Sequence, residues 1–291
     1  MKSLMDRLTK GETLVSDGAW GTLLQSMGLQ PGESPESWNL THPDKVRSVA
    51  QQYVEAGSDI VLTNSFGGSR FKLERYGLSD KTADINRAAA ALSREAAGDR
   101  HVLGSIGPTG KMLIMGEVTE TEWIEAFGLQ ARALTDGGAE GVCIETMSAL
   151  DEALCAIQGV HETTDCIIAC TFTFERTQQG EYRTLMGVSP AEMAEAVLKA
   201  GADIIGTNCG NGMQRMVDIV HELRAVDGRV PVLVHANAGM PVLKEGKTVF
   251  PESPDETASW VAALRDAGAN IIGGCCGTTP EHIRAIVRAL K

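Results

Sequence analysis

The sequence predicts an α/β protein folded as a single (β/α)8 TIM barrel. Short apolar segments alternate with longer amphipathic ones from end to end. Eight of the short segments can be read, the number that a closed parallel barrel requires. Four stretches (EAGSDIVLTN, DGGAEGVCIET, KAGADIIGTNC and DAGANIIGGCC) repeat one plan. In each, a helix ends at a glycine, a short polar turn follows, and a buried strand finishes in polar or sulfur-bearing residues. An open doubly wound sheet is the competing architecture, but it needs no eighth strand and usually carries a Gly-rich dinucleotide turn.

The strands fall at 13–17 (TLVSD), 59–64 (DIVLTN), 101–107 (HVLGSIG), 141–146 (GVCIET), 166–173 (CIIACTFT), 203–209 (DIIGTNC), 230–236 (VPVLVHA) and 270–275 (NIIGGC). They are apolar on both faces and rich in Val and Ile, as parallel strands covered on both sides should be. Amphipathic stretches at 120–136, 189–200, 211–225, 254–267 and 280–290 supply helices between them. Ser189-Pro190 and Thr279-Pro280 each set a capping hydroxyl before a proline at the first helical position. No internal linker rich in Pro, Gly or Ser interrupts the pattern, so residues 1–291 form one domain. Two irregular segments, 28–42 and 238–253, follow the first and seventh strands and belong to the rim where barrels carry their sites.

Composition narrows the function classes. Lys and Arg total 26 against 38 Asp and Glu, a net charge of −12, which disfavours nucleic acid and anionic membrane as partners. No apolar run approaches the ~18–20 residues of a membrane span. MKSLMDRLTKGE lacks the apolar stretch of a secretion signal, and seven cysteines, an odd number, do not read as a secreted disulfide framework. The expectation is a soluble cytoplasmic protein whose cysteines serve another purpose.

That purpose is sought at the strand C-termini, which converge on one face of a barrel. The eight ends read Asp17, Asn64, Gly107, Glu145, Thr173, Cys209, Asn237 and Cys275-Cys276. The sixth and eighth ends, expected to neighbour each other in space, bring three cysteines together. Three thiolates with one position left open describe a catalytic zinc site, since soft sulfur selects zinc or copper(I). Successive strand residues point to opposite faces, so Cys275 and Cys276 share a metal only if the backbone leaves strand geometry there. Gly273, Gly274 and Gly277 supply that freedom. Two buried structural cysteines or a redox-active vicinal disulfide are the competing readings. Cys143, Cys155, Cys166 and Cys170, lying in apolar strands or a helix, are expected in the core.

Asp17 and Glu145 point into the same mouth, where two carboxylates bind a ligand ammonium or do acid–base work. Asp17 equally suits a cap on the turn-like DGAWGT. Asn64, Asn208 and Asn237 are expected to satisfy backbone groups, and His235 shares a strand face with Asn237. GSIGPTGKM lacks the spacing of a phosphate-binding loop, no lysine sits at a strand end for Schiff-base chemistry, and no GxSxG elbow occurs.

DGAWGT at 17–22, TNSF at 63–66, GSIGPTG at 104–110, IET at 144–146, TNCG at 207–210, HANAG at 235–239 and GGCCGTTP at 273–280 together resemble the zinc-dependent homocysteine S-methyltransferases. Among these the chain is most similar to the homocysteine-binding module of cobalamin-dependent methionine synthase. The resemblance implies a zinc ion held by Cys209, Cys275 and Cys276. It implies that Asp17 and Glu145 hold the amino-acid end of homocysteine, and that Asn237 fills zinc's fourth position until substrate displaces it. Coordination to zinc would turn the homocysteine thiol into a nucleophilic zinc thiolate that takes up a methyl group to give methionine. The 291 residues leave no room for the folate, corrinoid and activation modules of the longer enzymes, so the methyl group is expected from outside the chain. A methylated corrinoid, free or on a separate protein docked over the mouth, is the favoured donor. S-methylmethionine, betaine or another onium compound is the alternative, for which Trp20 and Trp38 are the aromatic candidates near the rim. A zinc- and homocysteine-binding subunit without turnover is a third reading.

Overall fold

The computed structural model describes residues 3–244 and 247–291. Met1, Lys2, Glu245 and Gly246, which belong to the expected domain 1–291 and in part to the rim segment 238–253, lie outside the described residues. The barrel strands are β1 Leu14–Val15, β2 Ile60–Val61, β3 His101–Ile106, β4 Gly141–Met147, β5 Ile167–Phe172, β6 Ile204–Gly212, β7 Val232–Asn237 and β8 Ile271–Gly274. They form one eight-stranded sheet in the order β1-β8-β7-β6-β5-β4-β3-β2, parallel at each pairing, with helices after every strand. The chain is thus the (β/α)8 barrel that its pattern predicts.

The strands β1 and β2 are shorter than the segments 13–17 and 59–64, because side chains do part of the pairing where the sheet closes. Asp59 N–H donates to Val15 O at 2.7 Å, while Val15 N–H donates to the Asp59 carboxylate at 3.1 Å. Leu62 N–H donates to Asp17 Oδ2 at 2.8 Å. Carboxylates therefore take the place of main-chain acceptors along this seam.

Inside the barrel, Leu14, Ile60, Leu62, Leu103, Cys143, Ala169, Ile204, Leu233 and Ile271 form an apolar layer to which every strand contributes, β2 and its extension twice. Leu4 and Leu8 of an N-terminal helix, Leu4–Thr9, join that layer and plug it from below. Each Leu or Ile there contributes about 1.5–3 kcal/mol by leaving water. A larger apolar layer between strands and helices takes in Cys155 and Cys170, with Cys166 packed against it, so these cysteines and Cys143 are core residues.

The helices fall where the pattern puts them, except that 254–267 is divided at Trp260 into Pro254–Ser259 and Val261–Ala267. Ser189 forms a capping box with Glu192 at the start of Pro190–Lys199. At Thr279 the hydroxyl instead pairs with His282 Nδ1 at 2.9 Å. Segment 28–42 folds onto the end of β2: Asn39 Nδ2 donates to Asn64 O at 2.8 Å, and Asn64 Nδ2 donates to Pro35 O at 2.7 Å. Segment 238–253 carries an antiparallel pairing of Val242–Lys244 with Lys247–Val249. No described helix is long and apolar enough to cross a membrane.

Candidate metal and substrate site

β8 ends at Gly274, and Cys275 and Cys276 occupy the turn that follows, so the alternation of strand side chains no longer separates them. Cys275 N–H donates to Ala236 O of β7 at 2.7 Å, and Thr278 Oγ1 donates to Cys275 O at 2.7 Å. Side chains are excluded from the approach: a Cβ at Gly273 would sit 2.8 Å from Asp17 O, and Gly277 holds φ at +81°. Cys209 arrives differently. The pairing of β6 with β7 slips between Asn208 and Gly212, and Cys209 sits in that bulge at φ 59°, a left-handed conformation that costs a non-glycine residue about 1 kcal/mol or more.

The three sulfurs lie within 4.8 Å of one another, with Cys209 and Cys276 3.9 Å apart, and all three are free thiols. The expectation that the sixth and eighth strands neighbour each other is corrected, since β7 lies between β6 and β8. The sulfurs meet above β7 because Cys209 bulges and the Cys275-Cys276 turn is tied back to Ala236. Hydrogen bonds from Cys275 and Cys276 push the Cys209 thiol well down, and the same contact with Cys209 pushes both partners up, so Cys209 ionises first.

These cysteines and Glu145 line one cavity of about 360 Å³. Ser105 Oγ donates a short hydrogen bond to Glu145 Oε1. Ser105 N–H in turn donates to Thr63 Oγ1 at 2.9 Å, so the ends of β2, β3 and β4 share one polar network. Burial pushes Glu145 up to about 7, with the Asp17 and Cys209 charges adding to the shift against the Ser105 bond. Its neighbour Thr146 also has left-handed φ, at 61°.

Asp17 stands behind the cavity wall and is absent from its lining. Its Oδ2 accepts from Trp20 Nε1 and Leu62 N–H, both at 2.8 Å, and its Oδ1 accepts from Ser16 Oγ at 3.2 Å. Desolvation raises it to about 6 despite these bonds. It therefore both closes the barrel seam and orients the Trp20 indole, which does line the cavity. Asn237 is buried beside Cys209, and its Oδ1 has no partner within the described residues. His235 lines the cavity one pleat lower with Nε2 likewise unpartnered, and burial lowers it to about 4, which keeps it neutral.

Trp38 does not serve the site. It is 3% exposed, with its ring 4.5 Å from His42 and under Lys45 Nζ at 4.6 Å. Its place is taken by Phe66, which sequence reasoning passed over within TNSF and which lines the cavity. Glu36 was also missed. It lines the cavity while accepting from Gly67 N–H at 2.7 Å and Ser34 Oγ at 2.9 Å, and nothing local in 28–42 marks it as buried. Ser105 and Thr146 complete the missed set, since they belong to the site through bonds to other strands.

Comparison with known proteins agrees with the geometry. A family model described as homocysteine S-methyltransferase matches residues 14–290. A protein of Mycobacterium leprae named methionine synthase is 33% identical over 292 residues, covering 95% of this chain and 24% of the relative. Its namesake from Mycobacterium tuberculosis is 32% identical over 302 residues, covering 99% of this chain and 25% of the relative. The chain thus spans about a quarter of the length of these curated relatives. Among solved structures, the metallated form of the homocysteine methyltransferase MmuM from Escherichia coli superposes with a TM-score of 0.77 at 23% identity, covering 97% of this chain and 98% of that one.

Proposed function

The chain belongs to the homocysteine S-methyltransferase family, and from that premise we propose that it transfers a methyl group to the sulfur of homocysteine, producing methionine at a zinc site. One observation carries the reading: three convergent thiols and a buried carboxylate share the cavity of about 360 Å³. The donor set fits zinc, because three soft sulfurs converge and the orphaned Asn237 Oδ1 offers a fourth, displaceable ligand. Cys209, Cys275 and Cys276 would hold the ion. When bound it supplies the Lewis acidity that keeps a thiol, ordinarily titrating near ~8.5, as thiolate at neutral pH.

The remaining work falls to the chain. Glu145 binds the substrate ammonium, whose positive charge restores the carboxylate that burial had pushed up to about 7. Ser105 fixes the orientation of that carboxylate. Asp17 acts from behind the wall, adding negative charge and holding Trp20 against the substrate. With both ends held, the sulfur is presented in one direction for in-line attack on the methyl group, and the donor leaves from the opposite side with the electron pair of its bond to that carbon.

The favoured donor is a methylated corrinoid, free or carried on a separate protein. Ile114 and Met115 after β3, Leu185 after β5 and Leu243 after β7 are exposed on loops of the site's face, where a carrier would dock. A small onium donor is the second reading, favoured by Trp20, Phe66 and Glu36 in one cavity, since aromatic faces and carboxylates attract such cations. Incubating zinc-loaded protein and homocysteine with methylcobalamin, S-methylmethionine or betaine, and measuring methionine by mass spectrometry, decides between them. Turnover with methylcobalamin is expected. Turnover with an onium compound alone would move the donor assignment to the second reading, and none with any of the three or with a methylcorrinoid bound to a carrier protein would remove the activity itself.

A further inference from the structure

Asn208 sits immediately before Cys209, is fully buried, and reaches through the barrel interior to a strand that is not its neighbour. Its Oδ1 accepts from Thr146 N–H at 2.7 Å and from Thr171 Oγ1 at 2.7 Å, and its Nδ2 donates to Thr146 Oγ1 at 2.7 Å. Its own carbonyl accepts from Thr173 Oγ1 at 2.8 Å. One side chain therefore ties β6 to β4 across β5.

What it ties together is specific. Thr146 and Cys209 are, among the described residues, the non-glycine positions with φ in the left-handed region. Each lies in a break of strand register: β4 against β5 between Ile144 and Met147, and β6 against β7 between Asn208 and Gly212. Thr146 follows Glu145, and both line the same cavity as Cys209. A β-branched residue does not hold φ near +61° unaided, so the paired bonds to its N–H and Oγ1 fix that conformation.

We propose that Asn208 is a positioning residue that sets the sulfur-bearing bulge and the substrate carboxylate in one fixed geometry. The inference rests on the zinc and homocysteine reading above. It acts through Cys209 on one side and through Thr146 and Glu145 on the other. The residue touches neither metal nor substrate, so its removal changes two affinities together.

The test uses the full chain loaded with Co²⁺, whose thiolate charge-transfer absorption reports the site, with chelator competition for metal affinity and calorimetric titration for homocysteine. Asn208→Ala is expected to weaken both by about tenfold or more, the usual cost of losing a group that orients a ligand. Adding Thr146→Gly should recover most of the homocysteine affinity and none of the metal affinity, because glycine adopts left-handed φ without a clamp. If Asn208→Ala does not fold, Thr146 alone carries the test: Thr146→Ala should weaken homocysteine binding several-fold more than Thr146→Gly. Asn208→Ala with both affinities within twofold of the parent and only a lower Tm would overturn the inference, as would equal effects of the two Thr146 variants. A parent protein that binds no Co²⁺ would instead remove the metal-site reading and this inference with it.

Discussion

The lower and upper halves of this barrel are built from the same eight strands under opposite rules. Below, apolar side chains from every strand meet the N-terminal plug, and Leu4, Leu14, Leu103, Leu233 and Ile271 lose all their exposure. Above, the same strands end in Glu145 and Asp17 held against their desolvation, two left-handed non-glycine residues, and unpartnered nitrogen and oxygen atoms on His235 and Asn237. Each upper feature costs free energy that a core residue in its place would not. The lower half supplies the stability that lets the upper half stay strained, so breaking either should leave a different signature.

The largest effect is expected at the sulfurs. Cys275→Ser and Cys209→Ser should each bring metal binding and methionine formation to background while the far-ultraviolet circular dichroism stays that of the parent. Full metal content in both variants would show that the ligands lie elsewhere. Leu233→Ala, one pleat below His235, should do the reverse. It should cost about 2–5 kcal/mol in urea unfolding, the range for emptying a packed core site, with homocysteine KM within twofold. A raised KM without lost stability would mean that the two halves are not separable.

How much of this was legible in the sequence follows the same division. The strand pattern and the GGCC turn could be read because apolar periodicity and glycine are local signals. The three-cysteine cluster followed from counting strand ends, although β7 lies between its two sources. The seam between β1 and β2 was not legible, since it depends on Asp59 and Asp17 reaching partners 44 and 45 residues away in sequence. The plug was not legible either, because Leu4–Thr9 is too short for a periodic signal. Trp38 was misplaced for a related reason: nearness to the rim in sequence does not fix which way a ring turns. Asn208 looked like an ordinary buried amide until its three side-chain bonds to β4 and β5 were seen.

Glu145 joins the two halves of the comparison, and its substitution gives the smallest and most diagnostic change. Its folded pKa, about 7, lies above the ordinary 4.5, so the neutral form is the one the fold prefers. The stabilisation from protonating it is complete below about pH 4.5 and is lost as pH rises through about 7. At 1.36 kcal/mol per pH unit this amounts to at most about 3 kcal/mol by pH 8. Glu145→Gln keeps the shape and removes the charge, so the variant should resist urea better than the parent at pH 8 and no better at pH 4.5. Homocysteine affinity should fall in the same variant, because an amide offers the substrate ammonium no charge. Parent affinity should itself weaken as pH drops from 8 to 6, whereas that of Glu145→Gln should lose the part of this dependence that comes from the carboxylate. A variant that gains stability at pH 8 yet binds homocysteine as tightly as the parent would make Glu145 a burdened core residue and assign the ammonium to another group. One that loses affinity without gaining stability would show that Ser105 and its neighbours already offset the burial of the charge.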